Sequence, residues 1–295
     1  MFYVFTKDSH VCNFADDTTL SVGDTKLEDL LKNLENNTLS AILWFEANYM
    51  KLNQGKCHFL TGGVVEELWV KVGDEMIWES KAEKLLGVTV DKPLKFDKHL
   101  TNLCKKANQK VSALARVSRL LPFQKRHLIL ISFIESQFSY CPLVWMFCSR
   151  VMNRKINHIH ERALRLVYQD YSSTFGQLLG EDGSVSFHHR NIRTLATEMF
   201  KVRNGLTPSF ISDLFTYLER GDKFIIPGVK SVKRGKYSIR YFGPVVWNTM
   251  VPSNIKSKTS IEEFKNAIKQ WVPKCKCDLC VTVVQGVGVV NVING

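Results

Sequence analysis

Two carboxylates stand side by side in Phe14-Ala15-Asp16-Asp17, and three thiols cluster in Cys275-x-Cys277-x-x-Cys280. At these positions residue type and spacing could do chemistry. Adjacent carboxylates repel each other and gain from a divalent cation. Mg2+ (or Mn2+) suits them, because it takes oxygen ligands and keeps sites for substrate phosphates. Two such ions ~3.5–4 Å apart can clamp the attacking and leaving oxygens of a phosphoryl transfer. The same Asp-Asp pair is also ordinary turn chemistry, since Asp is common in hairpin loops. The three thiols are one ligand short of a closed Zn2+ site, which takes four. No His or further Cys follows them, so a fourth ligand must come from a distant part of the chain.

The elements around the carboxylates are legible. Val11–Ala15 and Thr18–Val22 are rich in β-branched and aromatic residues and read as strands, which puts Asp16 and Asp17 at or near a hairpin tip. Thr25-x-x-Glu28 reads as a capping box. Leu27, Leu30, Leu31, Leu34, Ala41, Ile42 and Phe45 then recur at helical spacing, broken only at Thr38. They predict an amphipathic helix of about 25 residues. A turn and strand follow over Tyr49–Leu60, with Lys56 at the strand's start. Leu68–Val72 and Met76–Glu79 form a hairpin turning at Gly73-Asp74, and Lys84–Asp91 reads as another strand.

In this order the parts resemble the back half of a reverse-transcriptase palm from a LINE-type (non-long-terminal-repeat, jockey-like) retrotransposon. Phe14-Ala15-Asp16-Asp17 resembles that family's metal-binding box. Trp44, Leu52-Asn53 and Lys56 resemble its next block, whose lysine lies near the leaving pyrophosphate. Leu86-Gly87-Val88 resembles the strand of its primer grip. Asn204-Gly205-Leu206-Thr207-Pro208, Gly243-Pro244-x-x-Trp247-Asn248 and Phe264-Lys265 resemble blocks of its C-terminal region. The resemblance implies Mg2+-dependent, template-directed nucleotidyl transfer, with Asp16 and Asp17 binding metal, Lys56 acting near pyrophosphate, and an RNA template and DNA primer as partners. Such a palm needs a further aspartate from an upstream strand, and only Met1–Asn13 precede the box. The chain is therefore expected to be a fragment, inactive alone, with another chain able to supply the missing palm and fingers.

Downstream, Phe96, Leu100, Leu103, Cys104, Ala107, Val111, Leu114 and Ala115 form a helical stripe, and Lys105, Lys106 and Lys110 lie off it. Pro122 ends that helix. An apolar helix over Gln124–Tyr140 and a third over Met152–Gln169, carrying Arg154 and Lys155, complete what the resemblance makes a thumb. Lys and Arg there would contact duplex phosphates; solvated charged faces are the alternative. His158 and His160 are two apart and do not share a helical face, so they do not read as metal ligands. Ile192 to Phe200 predict a helix capped at Asn204-Gly205, and another runs from Pro208 to Tyr217. Lys223–Ile261 holds no acidic residue. There Lys230, Lys233, Arg234, Lys236 and Arg240 interleave with Tyr237, Tyr241 and Phe242, a pattern that suits a nucleic-acid backbone and unpaired bases, while the aromatics could equally be core. Gly235 suggests a hairpin turn. Trp247 and the helix of Ile261, Phe264, Ile268 and Trp271 read as packing.

The expected fold is α+β. A partial palm occupies 1–92, a helical thumb 93–172, a mixed α/β basic region 173–280, and an unstructured Val/Gly tail 281–295. Across 295 residues, 45% hydrophobic, a sizeable core is available. No stretch reaches the ~18 apolar residues needed to span a bilayer, and Met1–Phe5 lacks a signal-peptide pattern. A nuclear or cytoplasmic site and eight free thiols are expected. The net charge of +12 is split into −5 over residues 1–100 and +17 over 101–295, which points to a polyanion partner for the second part. A non-catalytic nucleic-acid-binding remnant and a protein-interaction scaffold are the rival readings.

Overall fold

The computed structural model describes residues 10–15, 17–62, 67–229, 235–275, 277 and 279–280. Two compact units emerge, Met1–Lys95 and Phe96–Gly295. The fold is α+β, dominated by helices, with its strands in antiparallel pairs.

In the first unit, β1 (His10–Phe14) and β2 (Asp17–Ser21) form a hairpin, followed by α1 (Leu27–Ala47). The expected capping box at Thr25 does not form. Asp24 Oδ1 accepts from the backbone N–H of Thr25 at 2.6 Å and of Lys26 at 3.2 Å, so a carboxylate one residue upstream, a stronger acceptor than a hydroxyl, takes over the helix entry. The break in the apolar stripe is absorbed locally, since Thr38 Oγ1 donates to the Leu34 carbonyl at 2.8 Å. The helix α1 packs against two hairpins. Ala41, Trp44 and Phe45 meet Val11 and Leu20 of the first. Leu27, Leu31, Leu34 and Ile42 join Val70, Val72 and Ile77 of the second, made of β3 (Trp69–Val72) and β4 (Glu75–Trp78). Glu35 on α1 accepts the Lys71 backbone N–H at 3.0 Å, which satisfies an edge donor of β3.

Two expectations for this unit are corrected. The strand expected near Leu60 reduces to one bridge between Phe59 and Glu79, and Lys56 sits in a tight helical turn, Gln54–Lys56. Lys84–Asp91 is not one strand. Leu86 and Gly87 both take positive φ (44° and 85°) and turn the chain between β5 (Ala82–Leu85) and β6 (Val88–Asp91).

The second unit begins with α2 (Asp97–Val117), then α3 (Phe123–Ile129), whose helical path continues through a wide turn to Ile134 and a tight one to Phe138. Pro122 precedes α3, fixing its entry. Next come α4 (Pro142–Trp145), α5 (Arg150–Tyr168), α6 (Phe175–Asp182) and α7 (Phe187–Arg203). The sequence reading did not contain α6, whose capping box joins Thr174 and Gln177. Then follow α8 (Ser209–Ser212), β7 (Tyr217–Leu218) paired with β8 (Lys223–Phe224), α9 (Ile239–Val245), α10 (Ser253–Lys256) and α11 (Ile261–Gln270). The helix expected from Pro208 to Tyr217 thus ends after one turn. The expected hairpin at Gly235 is a helical turn instead, where an added Cβ would lie 2.5 Å from Val229 Cβ. The expected tail, 281–295, lies outside the described residues.

Among the described residues two apolar clusters fill this unit, and α7 belongs to both. Phe187 at its start packs with α2, α5 and α6. Ile192 to Phe200 pack with Phe224, Trp247, Phe264 and Ile268. The Gly243-Pro244-x-x-Trp247-Asn248 segment now has a physical account. An added Cβ on Gly243 would lie 2.6 Å from Met199 Sδ, so glycine lets α9 approach α7. Trp247 is fully buried and donates to the Asp222 carbonyl. Asn248 holds both backbone groups of Phe224, at 2.9 and 2.8 Å.

Candidate functional site

The carboxylate hairpin is built as tightly as a hairpin can be. Phe14 pairs with Asp17, which leaves a two-residue connection, Ala15 and Asp16. Ala15 takes φ +52°, the left-handed region, unfavourable for a residue with a Cβ. Asp17 is exposed at the start of β2; Asp16 lies outside the described residues. Phe14 is exposed as well, while Val11 is buried against α1. Lys56 is exposed on its turn. Among the described residues no third strand pairs with β1 or β2.

The basic candidates on α2 and α5 stand on packed helices. Lys105, Lys106, Arg154 and Lys155 are exposed, and Lys110 is half-buried with its Nζ 5.9 Å from the Phe133 ring centroid. Arg162 on α5 donates to Asn108 on α2 at 3.1 Å. Burial pushes the Cys104 thiol up to about 11, with the Lys155 ammonium pulling the other way. Further on, Lys236 and Arg240 are exposed, and Tyr237 is half-exposed with one ring face stacked on Phe147 at 6.0 Å. Lys230, Lys233 and Arg234 lie outside the described residues.

The cysteine cluster has acquired a neighbour that sequence spacing could not reveal. Cys275, Cys277 and Cys280 converge with His188, their ligand atoms all within 4.8 Å of one another. Cys277 Sγ is 3.6 Å from Cys280 Sγ and 3.1 Å from His188 Nε2. His189 Nε2 lies 3.4 Å from Cys280 Sγ. The two imidazoles sit in the first turn of α7, where Ser186 caps the helix by accepting from the His189 N–H. The Cys277–Cys280 turn closes through Cys280 N–H to the Cys277 carbonyl at 3.0 Å. Asn153 on α5 anchors it by donating to the Leu279 carbonyl at 3.1 Å. Hydrogen bonds from Cys275 and Cys280, joined by His188, pull the Cys277 thiol far below its ordinary range. Hydrogen bonding to Cys277 pushes Cys275 up to about 11. Burial lowers His189 to about 4, leaving it neutral near pH 7. His160, set aside as a ligand, is fully buried and hydrogen-bonded to Glu135.

Among the described residues no helix is long and apolar enough to cross a membrane. No protein-family model matches the chain, and no curated protein or solved structure was found to be similar to it.

Proposed function

We propose that the chain carries part of a reverse-transcriptase palm and thumb of the LINE type, serving RNA-templated nucleotidyl transfer once the site is completed. The observation that carries the reading is the hairpin. A strained residue, Ala15, sits in a two-residue connection between two strands, next to two adjacent carboxylates. Backbone strain of this kind persists where the surroundings enforce it, and it gathers at functional sites. The packing of α1 behind the hairpin gives it a fixed base.

The donor chemistry fits Mg2+ in kind, since carboxylate oxygens at an exposed tip are its preferred protein ligands. Asp16 and Asp17 would hold it. When bound, Mg2+ would supply positive charge to offset the negative charge that builds up during phosphoryl transfer. Lys56, exposed on its turn, would neutralise charge on the departing pyrophosphate. Two carboxylates alone fall short of the ligands such an ion takes. The reading therefore requires a further aspartate-bearing strand, from sequence outside these residues or from a partner chain. Exposed Lys105, Lys106, Arg154 and Lys155 would hold the RNA–DNA duplex by its phosphates.

Mn2+ titration of the purified chain tests this. Weak, saturable binding is expected in the wild type and should be lost in Asp16→Asn and in Asp17→Asn. Equal binding in all three sinks the metal site. Primer extension by the chain alone, abolished by Asp16→Asn, would show that no further strand is needed. Nucleic-acid binding without Mn2+ binding would move the remnant reading to first place.

A further inference from the structure

We infer that His188, Cys275, Cys277 and Cys280 form a closed, structural Zn2+ site that fastens the Trp271–Cys280 segment onto α5 and α7. This goes beyond the nucleotidyl-transfer reading and does not depend on it.

Four ligand atoms from two segments far apart in sequence meet within 4.8 Å of one another. Around a tetrahedral zinc, with Zn–S ~2.3 Å and Zn–N ~2.0–2.1 Å, neighbouring ligand atoms lie roughly 3.5–3.8 Å apart. The Cys277–Cys280 separation of 3.6 Å matches this, and the His188–Cys277 separation of 3.1 Å needs only a small opening. Three soft sulfurs and one imidazole select zinc over Mg2+, Ca2+ or Mn2+, which prefer oxygen. Four protein ligands leave no open position for substrate, which marks the site as structural.

A disulfide explains less. It would join two of the thiols and leave the third and the imidazole without a reason to converge. Plain core packing also explains less, because Cys280 and His188 are buried at 6% and 4% exposure with their polar atoms both turned toward Cys277 Sγ. Among the described residues His188 Nδ1 has no hydrogen-bond partner, and the ring's Nε2 side faces the thiols.

The surroundings suit the charge. Three thiolates and one Zn2+ carry a single net negative charge, placed at the first turn of α7, the positive end of a 17-residue helix. His189 Nε2 lies 3.4 Å from Cys280 Sγ, where it would donate to a zinc-bound thiolate as a positioning residue, not a ligand. Asn153 to Leu279 and Arg193 to the Trp271 carbonyl at 2.7 Å hold the two ends of the segment. These tethers pre-organise the thiols and lower the entropy of closing the site.

Elemental analysis and Co2+ substitution of the full chain test the site. The expected result is one zinc per chain, with cobalt giving the intense visible bands of tetrahedral coordination and near-ultraviolet thiolate charge transfer. Cys277→Ser and His188→Ala should lose the metal, His188→Cys should keep it, and His189→Ala should keep the stoichiometry while weakening retention against a chelator. Wild-type chain refolded with excess zinc that holds none overturns the inference, as does zinc retained in Cys277→Ser. Loss in His189→Ala with retention in His188→Ala overturns the ligand assignment. Should the variants fail to fold, the wild-type cobalt spectrum decides alone, since octahedral or absent bands rule the site out. Mn2+ binding at the Asp16-Asp17 hairpin is expected to be unchanged in Cys277→Ser, so the two readings fail separately.

Discussion

Arg190 grips both carboxylate oxygens of Glu135, each at 2.7 Å, across 55 residues of chain. His160, fully buried, adds a third hydrogen bond at 3.0 Å. Glu135 is thereby compensated inside the unit where the segment after α3, α5 and α7 meet. Burial alone would raise the Glu135 carboxyl. The bonds from His160 and Arg190 outweigh it and hold the group down at about 2.

The first prediction concerns removal of one partner. Arg190→Ala should cost about 3–5 kcal/mol, because it leaves the buried Glu135 charge uncompensated, and Glu135→Gln should cost less, because the partly exposed Arg190 can turn to water. Urea denaturation measures it. The double variant should cost clearly less than the sum, since the two act on one interaction.

A pH dependence follows from the same carboxyl. Its folded value, about 2, lies below the ordinary 4.5, so the unfolded chain binds the proton first as pH falls. The contribution is complete above pH 4.5 and is lost as pH drops toward 2. Its full size is about 3 kcal/mol. His160 adds in the same direction, because burial keeps it neutral while the unfolded chain protonates below pH 6.5. Unfolding free energy measured from pH 7 to 3 should therefore fall faster in the wild type than in Glu135→Gln.

Arg126 gives a third prediction. Its guanidinium is buried and donates to three carbonyls, those of Val167 at 2.8 Å, Leu121 at 2.7 Å and Ser118 at 3.3 Å. One side chain so satisfies chain ends of α5 and of the turn after α2. Arg126→Ala should cost about 2–4 kcal/mol, and Arg126→Lys should restore little, because a point charge cannot reach three carbonyls at once. Thermal melting of the two variants checks this.

Phosphate contact predicts a salt signature. If the exposed cations of α2 and α5 meet phosphates, log affinity for an RNA–DNA duplex falls linearly with log salt, by ~0.7–0.9 per contact. Replacing Lys105, Lys106, Arg154 and Lys155 with Ala should flatten that slope by about three to four if each touches one phosphate. Filter binding over a salt series measures it. A wild-type affinity indifferent to salt would leave these residues as a solvated face and favour the scaffold reading.

The long helices were legible because burial on one face writes a period into sequence. Leu100, Cys104, Ala107, Val111 and Leu114 are buried on α2, as their spacing requires. The hairpin at Asp16-Asp17 was legible from its two β-rich flanks. Local competition was harder to read. At the entry of α1 the Asp24 carboxylate holds the Thr25 and Lys26 N–H groups, and the Thr25 side chain caps nothing. Leu86 hid a turn, since a leucine at positive φ carries no sign of it in sequence. The fourth member of the cysteine cluster was unreadable for a different reason. His188 precedes Cys277 by 89 residues, and only tertiary packing of α7 brings them together.

That separation sets an order of events during synthesis. Helix α7 leaves the ribosome well before its thiol partners, and at ~5–20 residues per second the 89-residue gap between His188 and Cys277 lasts roughly 4–18 s. In that interval Ile192 to Phe200 also await Phe264 and Ile268. In that window the nascent chain holds one apolar face of α7 and a pair of imidazoles without their native partners. Docking of the cysteine turn ends that window.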